Sequence, residues 1–267
     1  MPMSPTLQTP TSNQSPPPPF RPVEAAEQRL SGRVVVVSPH LDDAVMSLGA
    51  TIAQCVRAGT DVVVLTVFAY IPSSEARAGP WDTSCGYSTE GQAARARREE
   101  DRRACLVLGA KRRWLDFGAE PYERRGSQEE IWSAVDAETR GADAVLLPGY
   151  PLTHPDHSEL SELLLRKGLS CGAVALYAEQ PYRFWQRKTP LVSSIAPPLQ
   201  DLIEGSLTWS RVLTDSEYRR IKRRAVQSYR SQLRHLGLGP FGLRRMIWHE
   251  AAQGGEALAW LPRRAEG

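Results

Sequence analysis

The chain has 267 residues, 41% of them apolar and 24% charged, with a formal net charge of +3. That balance supports a sizeable buried core, and a net charge of +3 is too small to imply nucleic acid by itself, because phosphate binding shows as clustered basic residues and not as a slightly basic total. No stretch is apolar for long enough to cross a bilayer. The four cysteines, Cys55, Cys85, Cys105 and Cys171, make neither a metal-type pair nor a disulfide framework, as expected of a reduced, cytoplasmic protein.

Residues 1–22 are rich in Pro, Ser, Thr and Gln, with an unbroken proline run over 16–19, and are expected to be a disordered tail. They have neither the basic start nor the apolar core of a secretory signal. Residues 23–267 are read as a single domain. Its first strand is Val34 to Val37, four β-branched residues in a row. A helix over 44–58 ends at Gly59, and Asp61 to Phe68 is a second buried strand, which completes a βαβ unit. Continuous apolar strands joined by helices predict a parallel sheet covered on both faces.

Residues 69–89 have no period and are expected to be a long loop carrying Trp81 and Asp82. A charged helix follows over 90–108, ending at Gly109, then a short strand over 113–117, a helix over 128–140 and a strand over 144–147 broken by Pro148-Gly149. A helix from His154 to Lys167 is expected to take Thr153 as its N-cap, with Pro155 in the first turn. A strand over 173–178 and an irregular aromatic stretch over 181–210 come next. Thr214 and Glu217 have the spacing of a capping box that opens a helix to about Leu236. Its apolar stripe is Tyr218, Ile221, Ala225 and Tyr229, and Arg219, Arg220, Lys222, Arg223, Arg224 and Arg230 read as its solvated basic face. The region after Gly237 is left without an assignment.

Two polar clusters stand out. His40-Leu41-Asp42-Asp43 follows the first strand, and His154-Pro155-Asp156-His157 follows the strand over 144–147. Strand ends that feed helices line the ligand crevice of open α/β sheets, so these distant segments should converge. A catalytic zinc takes three protein ligands and leaves a position open. His40, Asp43 and His157 can supply two imidazoles and a carboxylate, leaving Asp42 as a base for the attacking water. His154 lies one turn from His157. It is either an additional ligand or an imidazolium facing the developing oxyanion, with Asp156 to orient it. His235 and His249 lack partners at ligand spacing and read as structural or surface residues.

Pro39-His40-Leu41-Asp42-Asp43 with Ser47 and Gly49, together with His154-Pro155-Asp156-His157, resembles the N-acetylglucosaminylphosphatidylinositol de-N-acetylase family, also called PIG-L or LmbE-like. Three further stretches extend the likeness over most of the chain after the tail. They are Arg97-Arg98-Glu99-Glu100 with Leu108-Gly109, Trp114-Leu115-Asp116-Phe117, and Lys222 through Ala225 to Tyr229-Arg230-Ser231-Gln232. The resemblance implies a Rossmann-like, doubly wound, mostly parallel α/β sheet with helices on both faces. It also implies Zn2+-dependent removal of an N-acyl group, usually acetyl, from a small amino-sugar substrate. By position it makes His40, Asp43 and His157 metal ligands, Asp42 the general base and His154 the oxyanion-stabilising histidine, with Asp156 beside it. Leu41 and Ala44 depart from the family's frequent Pro and acidic residue. Leu152 stands where some members have a tyrosine.

Arg97, Asp82 and Trp81 are further candidates for holding the sugar, through its hydroxyls and the face of its ring. Two histidines and a carboxylate also suit Fe2+, so an iron(II) oxygenase is a rival reading, as is a non-catalytic sugar-binding module. The βα alternation argues against the first and the complete hydrolytic residue set against the second. No nucleic-acid partner is expected, and the sequence does not specify an oligomeric state.

Overall fold

The structure is a computed structural model that describes residues 29–73, 76–118, 125–191, 194–203 and 206–262. The tail expected over 1–22 lies outside the described residues. The elements run β1 (Arg33–Ser38), α1 (Asp43–Arg57), β2 (Asp61–Thr66), α2 (Pro80–Ser84), α3 (Glu90–Leu108), β3 (Lys111–Trp114), α4 (Gln128–Thr139), β4 (Ala144–Tyr150) and α5 (Pro155–Lys167). They continue as β5 (Val174–Ala178), α6 (Tyr182–Trp185), β6 (Trp209–Val212), α7 (Ser216–Val226), α8 (Arg230–Leu233), α9 (Pro240–Ala252) and β7 (Glu256–Trp260).

Among the described residues the strands form one seven-stranded sheet in the order β3-β2-β1-β4-β5-β7-β6. The first five strands are parallel, and β7 and β6 add an antiparallel edge. This is the doubly wound α/β architecture that the alternation predicts, and β1 shows why. Val34 and Val36 pack into the core on one face, while Val35 and Val37 pack into the core on the other. A strand buried on both faces reads as an unbroken apolar run rather than an alternating one. Strand order reverses between β1 and β4, because the chain winds outward through β2 and β3 before returning to the other side of β1. The crevice at the carboxyl ends of those two strands is the switch point where such sheets bind ligands.

Several boundaries differ from expectation. β4 continues through Pro148-Gly149: its pairing with β1 stops at Leu146, and a register shift against β5 accommodates the proline. Gly149 is required there, since a Cβ would lie 2.4 Å from that of Leu176. β3 starts at Lys111, immediately after the Gly109 cap, and its charged residues are tolerated because it is an edge strand. The N-cap of α5 is His154 instead of Thr153, its imidazole accepting from the Asp156 amide. The Thr214–Glu217 capping box does not form; Asp215 occupies the cap of α7, and the Thr214 carbonyl accepts from Arg219. That helix stops at Val226, and α8 is a separate turn. The unassigned region after Gly237 contains α9 and β7.

Lys222 is the clearest correction, because it belongs to no solvated face. It is 0% exposed, and its ammonium donates to Glu250 (2.7 Å) and Glu256 (2.6 Å). Its position, four residues after Tyr218 and three before Ala225, lies inside the apolar stripe. Glu256 also accepts from the amides of Ala50 (3.1 Å) and Thr51 (2.7 Å), just past Leu48, where α1 departs from helical geometry. Burial above all, opposed by Lys222 and reinforced by the Glu256 charge, pushes Glu250 up to about 7 from an ordinary 4.5. The folded state therefore keeps a proton that the unfolded chain would release, and this carboxyl withdraws stability as pH rises from 4.5 toward 7. Lys222→Met leaves the two carboxylates without their cation and is expected to lower unfolding free energy by about 3–5 kcal/mol at neutral pH. The loss should shrink as the pH falls through that window; urea denaturation at several pH values measures it.

Candidate metal centre and its pocket

The turn after β1 is set by Ser38, whose hydroxyl donates to the His40 carbonyl (2.6 Å) and accepts from the Ala44 amide (3.0 Å). α1 begins directly behind it, so Asp42 and Asp43 sit at a helix N-terminus, where carboxylates are favoured. The Asp43 carboxylate folds back to accept the His40 amide at 2.8 Å. β4 and the N-terminus of α5 bring the second cluster against this turn, and the two distant segments meet as predicted.

His40 Nδ1, Asp43 Oδ2 and His157 Nε2 form a small triangle. His40 Nδ1 lies 3.1 Å from His157 Nε2 and 3.4 Å from Asp43 Oδ2, and the remaining edge is 3.2 Å. His154 is farther out, yet His40, His154 and His157 each offer a ring nitrogen within 4.8 Å of the others, so a three-histidine set is also present. Asp156 reaches His40 Nε2 at 3.0 Å, while its carboxylate is 3.7 Å from His154 Nδ1. The expected pairing of Asp156 with His154 is thus mainly a backbone one, from the Asp156 amide to His154 Nδ1 at 3.3 Å. That bond leaves the His154 Nε2 side free to carry a proton.

Adjacent carboxylates have opposite fates. Burial opposes ionisation of Asp43, but the charges and hydrogen bonds of His157 and His40 overcome it and hold its pKa well below the ordinary range. Burial and then the Asp43 charge push Asp42 up to about 7, with His40, Arg97 and His157 pulling the other way. His157 is buried, which disfavours its charge, yet Asp43 and Glu179 raise its pKa well above the usual imidazole value. Burial above all, helped by the charges of His40 and His157, lowers the pKa of His154 below the ordinary imidazole value.

The site opens into a cleft of about 570 Å³ whose wall includes Asp42, His154 and all three proposed sugar contacts, Trp81, Asp82 and Arg97. Asp82 is 1% exposed and its carboxylate is paired with Arg97, so in the cleft wall it serves to orient the guanidinium. The Arg97 Nε is buried with no hydrogen-bond partner among the described residues. Trp81 stacks on His235 with centroids 4.4 Å apart, and Ser84 bonds His235 at 2.8 Å, so His235 is a wall of the cleft mouth instead of a remote surface residue.

Sequence reading missed two residues beside His157. Glu179 approaches His157 Nδ1 at 2.5 Å and also accepts the amide of Leu152 at 2.8 Å. That second bond holds Leu152 at φ 55, a left-handed conformation uncommon for a residue with a Cβ. Tyr182 lines the cleft with its ring edge-on to His157, centroids 5.9 Å apart. Glu179 had one available signal: it follows β5, a third strand whose carboxyl end borders the same crevice.

Comparison with known proteins finds likenesses among deacetylases. Residues 35–166 match the PIG-L family, described as GlcNAc-PI de-N-acetylase. The diacetylchitobiose deacetylase of Thermococcus kodakarensis is 33% identical over 129 residues, 47% of this chain and 45% of that enzyme, so the match spans a little under half the length of this curated relative. Among solved structures, a triple mutant of a deacetylase in the teicoplanin biosynthetic pathway superposes with a TM-score of 0.70 at 25% identity, covering 88% of this chain and 100% of the other. The A40926 pseudoaglycone deacetylase gives 0.67 at 28% identity, over 88% and 99%.

A carboxylate behind a metal-binding histidine fixes its tautomer and raises its basicity. Glu179→Gln is therefore expected to weaken Zn2+ binding, measured by competition with a chromogenic chelator, by about 10–100-fold while the fold persists.

Proposed function

We propose that this chain, whose residues 35–166 match the PIG-L family, is a zinc-dependent N-deacetylase, hydrolysing the acetamide of an amino sugar or a glycosylated metabolite. The observation that carries the reading is the triangle of His40 Nδ1, Asp43 Oδ2 and His157 Nε2, with edges of 3.1–3.4 Å. Ligand bonds of 2.0–2.1 Å at tetrahedral angles separate donor atoms by about 3.3–3.4 Å, so the three atoms are spaced to share one ion. Two imidazoles and a carboxylate with one side open to the cleft are a catalytic zinc donor set. When bound, Zn2+ supplies Lewis acidity toward the amide carbonyl and the attacking water. Fe2+ or another divalent ion fits the same donors. Hydrolysis is favoured over iron chemistry by Asp42, a carboxylate lining the cleft beside the triangle that an oxygenase would not need.

Asp42 takes the proton of the attacking water and passes it to the departing amine. Its pKa near 7 suits both halves of that task, and a cation at Asp43 would draw it lower, toward the base form. His154 Nε2 donates to the carbonyl oxygen as negative charge develops on it, while Nδ1 stays committed to the Asp156 amide. Asp156 positions His40 through its 3.0 Å contact. Arg97, steadied by Asp82, presents its guanidinium to the sugar hydroxyls, and Trp81 faces the ring. The relatives named for diacetylchitobiose, for the teicoplanin pathway and for the A40926 pseudoaglycone support an N-acetylated sugar as the group acted upon. We read residues 23–267 as one domain, because β6 and β7 complete the sheet that carries the site. No helix among the described residues is long and apolar enough to cross a membrane, and the free cysteines fit a cytoplasmic setting.

Acetate release from N-acetylglucosaminyl compounds is the direct assay. Asp42→Asn is expected to keep its metal and lose about 10²–10⁴ in kcat. His157→Ala should lose the metal, measured by elemental analysis, whereas His154→Ala should retain it and lose about 10²–10³ in kcat. Full activity in Asp42→Asn, or metal loss in His154→Ala with retention in His157→Ala, overturns the assignment.

A further inference from the structure

We propose that the outer face formed by α6 and α9 docks on an anionic lipid bilayer and sets the mouth of the cleft against the membrane surface. α9 carries two of the most exposed large apolar side chains of the described protein, Phe241 at 88% and Trp248 at 69%. They are seven residues apart, which on a helix places them on one side about 10 Å from each other. Between them, on the same side, are the exposed guanidinium side chains of Arg244 and Arg245. The opposite side of α9, with Leu243, Met246, Ile247 and Glu250, is buried against the core. An aromatic–Arg–Arg–aromatic ridge on a helix that is anchored from behind suits the headgroup region, where rings enter the acyl boundary and cations meet lipid phosphates.

α6 extends this face toward the cleft. Phe184 packs edge-on against His249 of α9 with centroids 5.6 Å apart, and the Gln180 side chain donates to Glu250 at 2.8 Å. The residue after Phe184, Trp185, is exposed and also lines the cleft, so the ridge and the cleft mouth share a border. Residues 180–200 and 233–249 contain Arg183, Arg187, Lys188, Arg234, Arg244 and Arg245 and no Asp or Glu. The positive charge is crowded in space as well as in sequence: after burial, the charges of Arg183, Arg187, Arg211 and Arg245 together hold His249 below its ordinary pKa.

Charge also discriminates among occupants. A second copy of the chain, joined through a two-fold axis, would press this cationic face against itself, which is unfavourable. A convex ridge with protruding rings has no groove in which to stack bases or track a polynucleotide backbone. An anionic bilayer complements both the cations and the rings.

The test uses the full chain, and its vesicle-binding readout requires no turnover, so that readout is independent of the hydrolase assignment. Sedimentation with vesicles of phosphatidylcholine containing about one-third phosphatidylglycerol should pull down the protein at roughly 0.1 M salt, whereas phosphatidylcholine alone should not. Arg244→Glu with Arg245→Glu, and separately Phe241→Ser with Trp248→Ser, should each weaken binding by about tenfold or more. Melting temperature and acetate release from a soluble substrate should stay unchanged, because none of the four side chains lies in the site. The following outcomes overturn the proposal. These are no binding to phosphatidylglycerol vesicles at low salt, equal binding by the variants, or a dimer in light scattering that Phe241→Ser with Trp248→Ser dissociates. Retention of duplex DNA without vesicle binding, lost on charge reversal, likewise assigns the face to a different polyanion and overturns it.

Discussion

One oxygen atom, Asp43 Oδ2, organises the centre of the molecule. It accepts the His40 amide at 2.8 Å and lies 3.2 Å and 3.4 Å from a ring nitrogen of each of two histidines separated by more than a hundred residues. A carboxylate can serve three donors only when it is held at a fixed height and angle. The β1 strand, with valines locked into both cores, and the Ser38 turn supply that hold. If β1 could slide by a residue, its side chains would exchange faces and the oxygen would leave the crevice. The strictness of the strand is thus what permits the looseness of the cleft in front of it.

Asp42 and Asp43 illustrate how little sequence separation matters to electrostatics. Asp43 faces two imidazoles and stays charged; Asp42 faces its neighbour's charge in a buried setting and holds its proton more tightly. Groups driven apart in this way are suited to the division proposed for them, ligand for one and proton carrier for the other. Glu179 and Asp156 extend the same logic outward, each pinning one imidazole from behind, so that both rings of the triangle are oriented by carboxylates.

The fold was largely legible because its signals are local. The valine run, Gly59 and Gly109 at helix ends, and the two His/Asp clusters after strands all describe what one segment must do. What was not legible depends on partners distant in sequence. Lys222 sits within an apolar stripe, but nothing nearby in sequence shows that Glu250 and Glu256 await it. Glu179 is a single acid after a strand until the fold delivers His157 to it. His235 acquires meaning only because α2, in an aperiodic stretch, places Trp81 across from it. Thr153 and Thr214 mislead for a different reason: each has a cap-forming side chain, and in each case the next residue occupies the cap.

The interruption of α1 at Leu48 reaches beyond geometry. The amides it releases at Ala50 and Thr51 are satisfied by Glu256, on a strand laid down some two hundred residues later. On a ribosome the first helix behind the candidate ligands therefore emerges long before its fastening. During that interval the helix can straighten, and the ligand turn it supports has no final shape. The proposed metal centre is therefore completed only late in the life of the nascent chain, once β7 has joined the sheet.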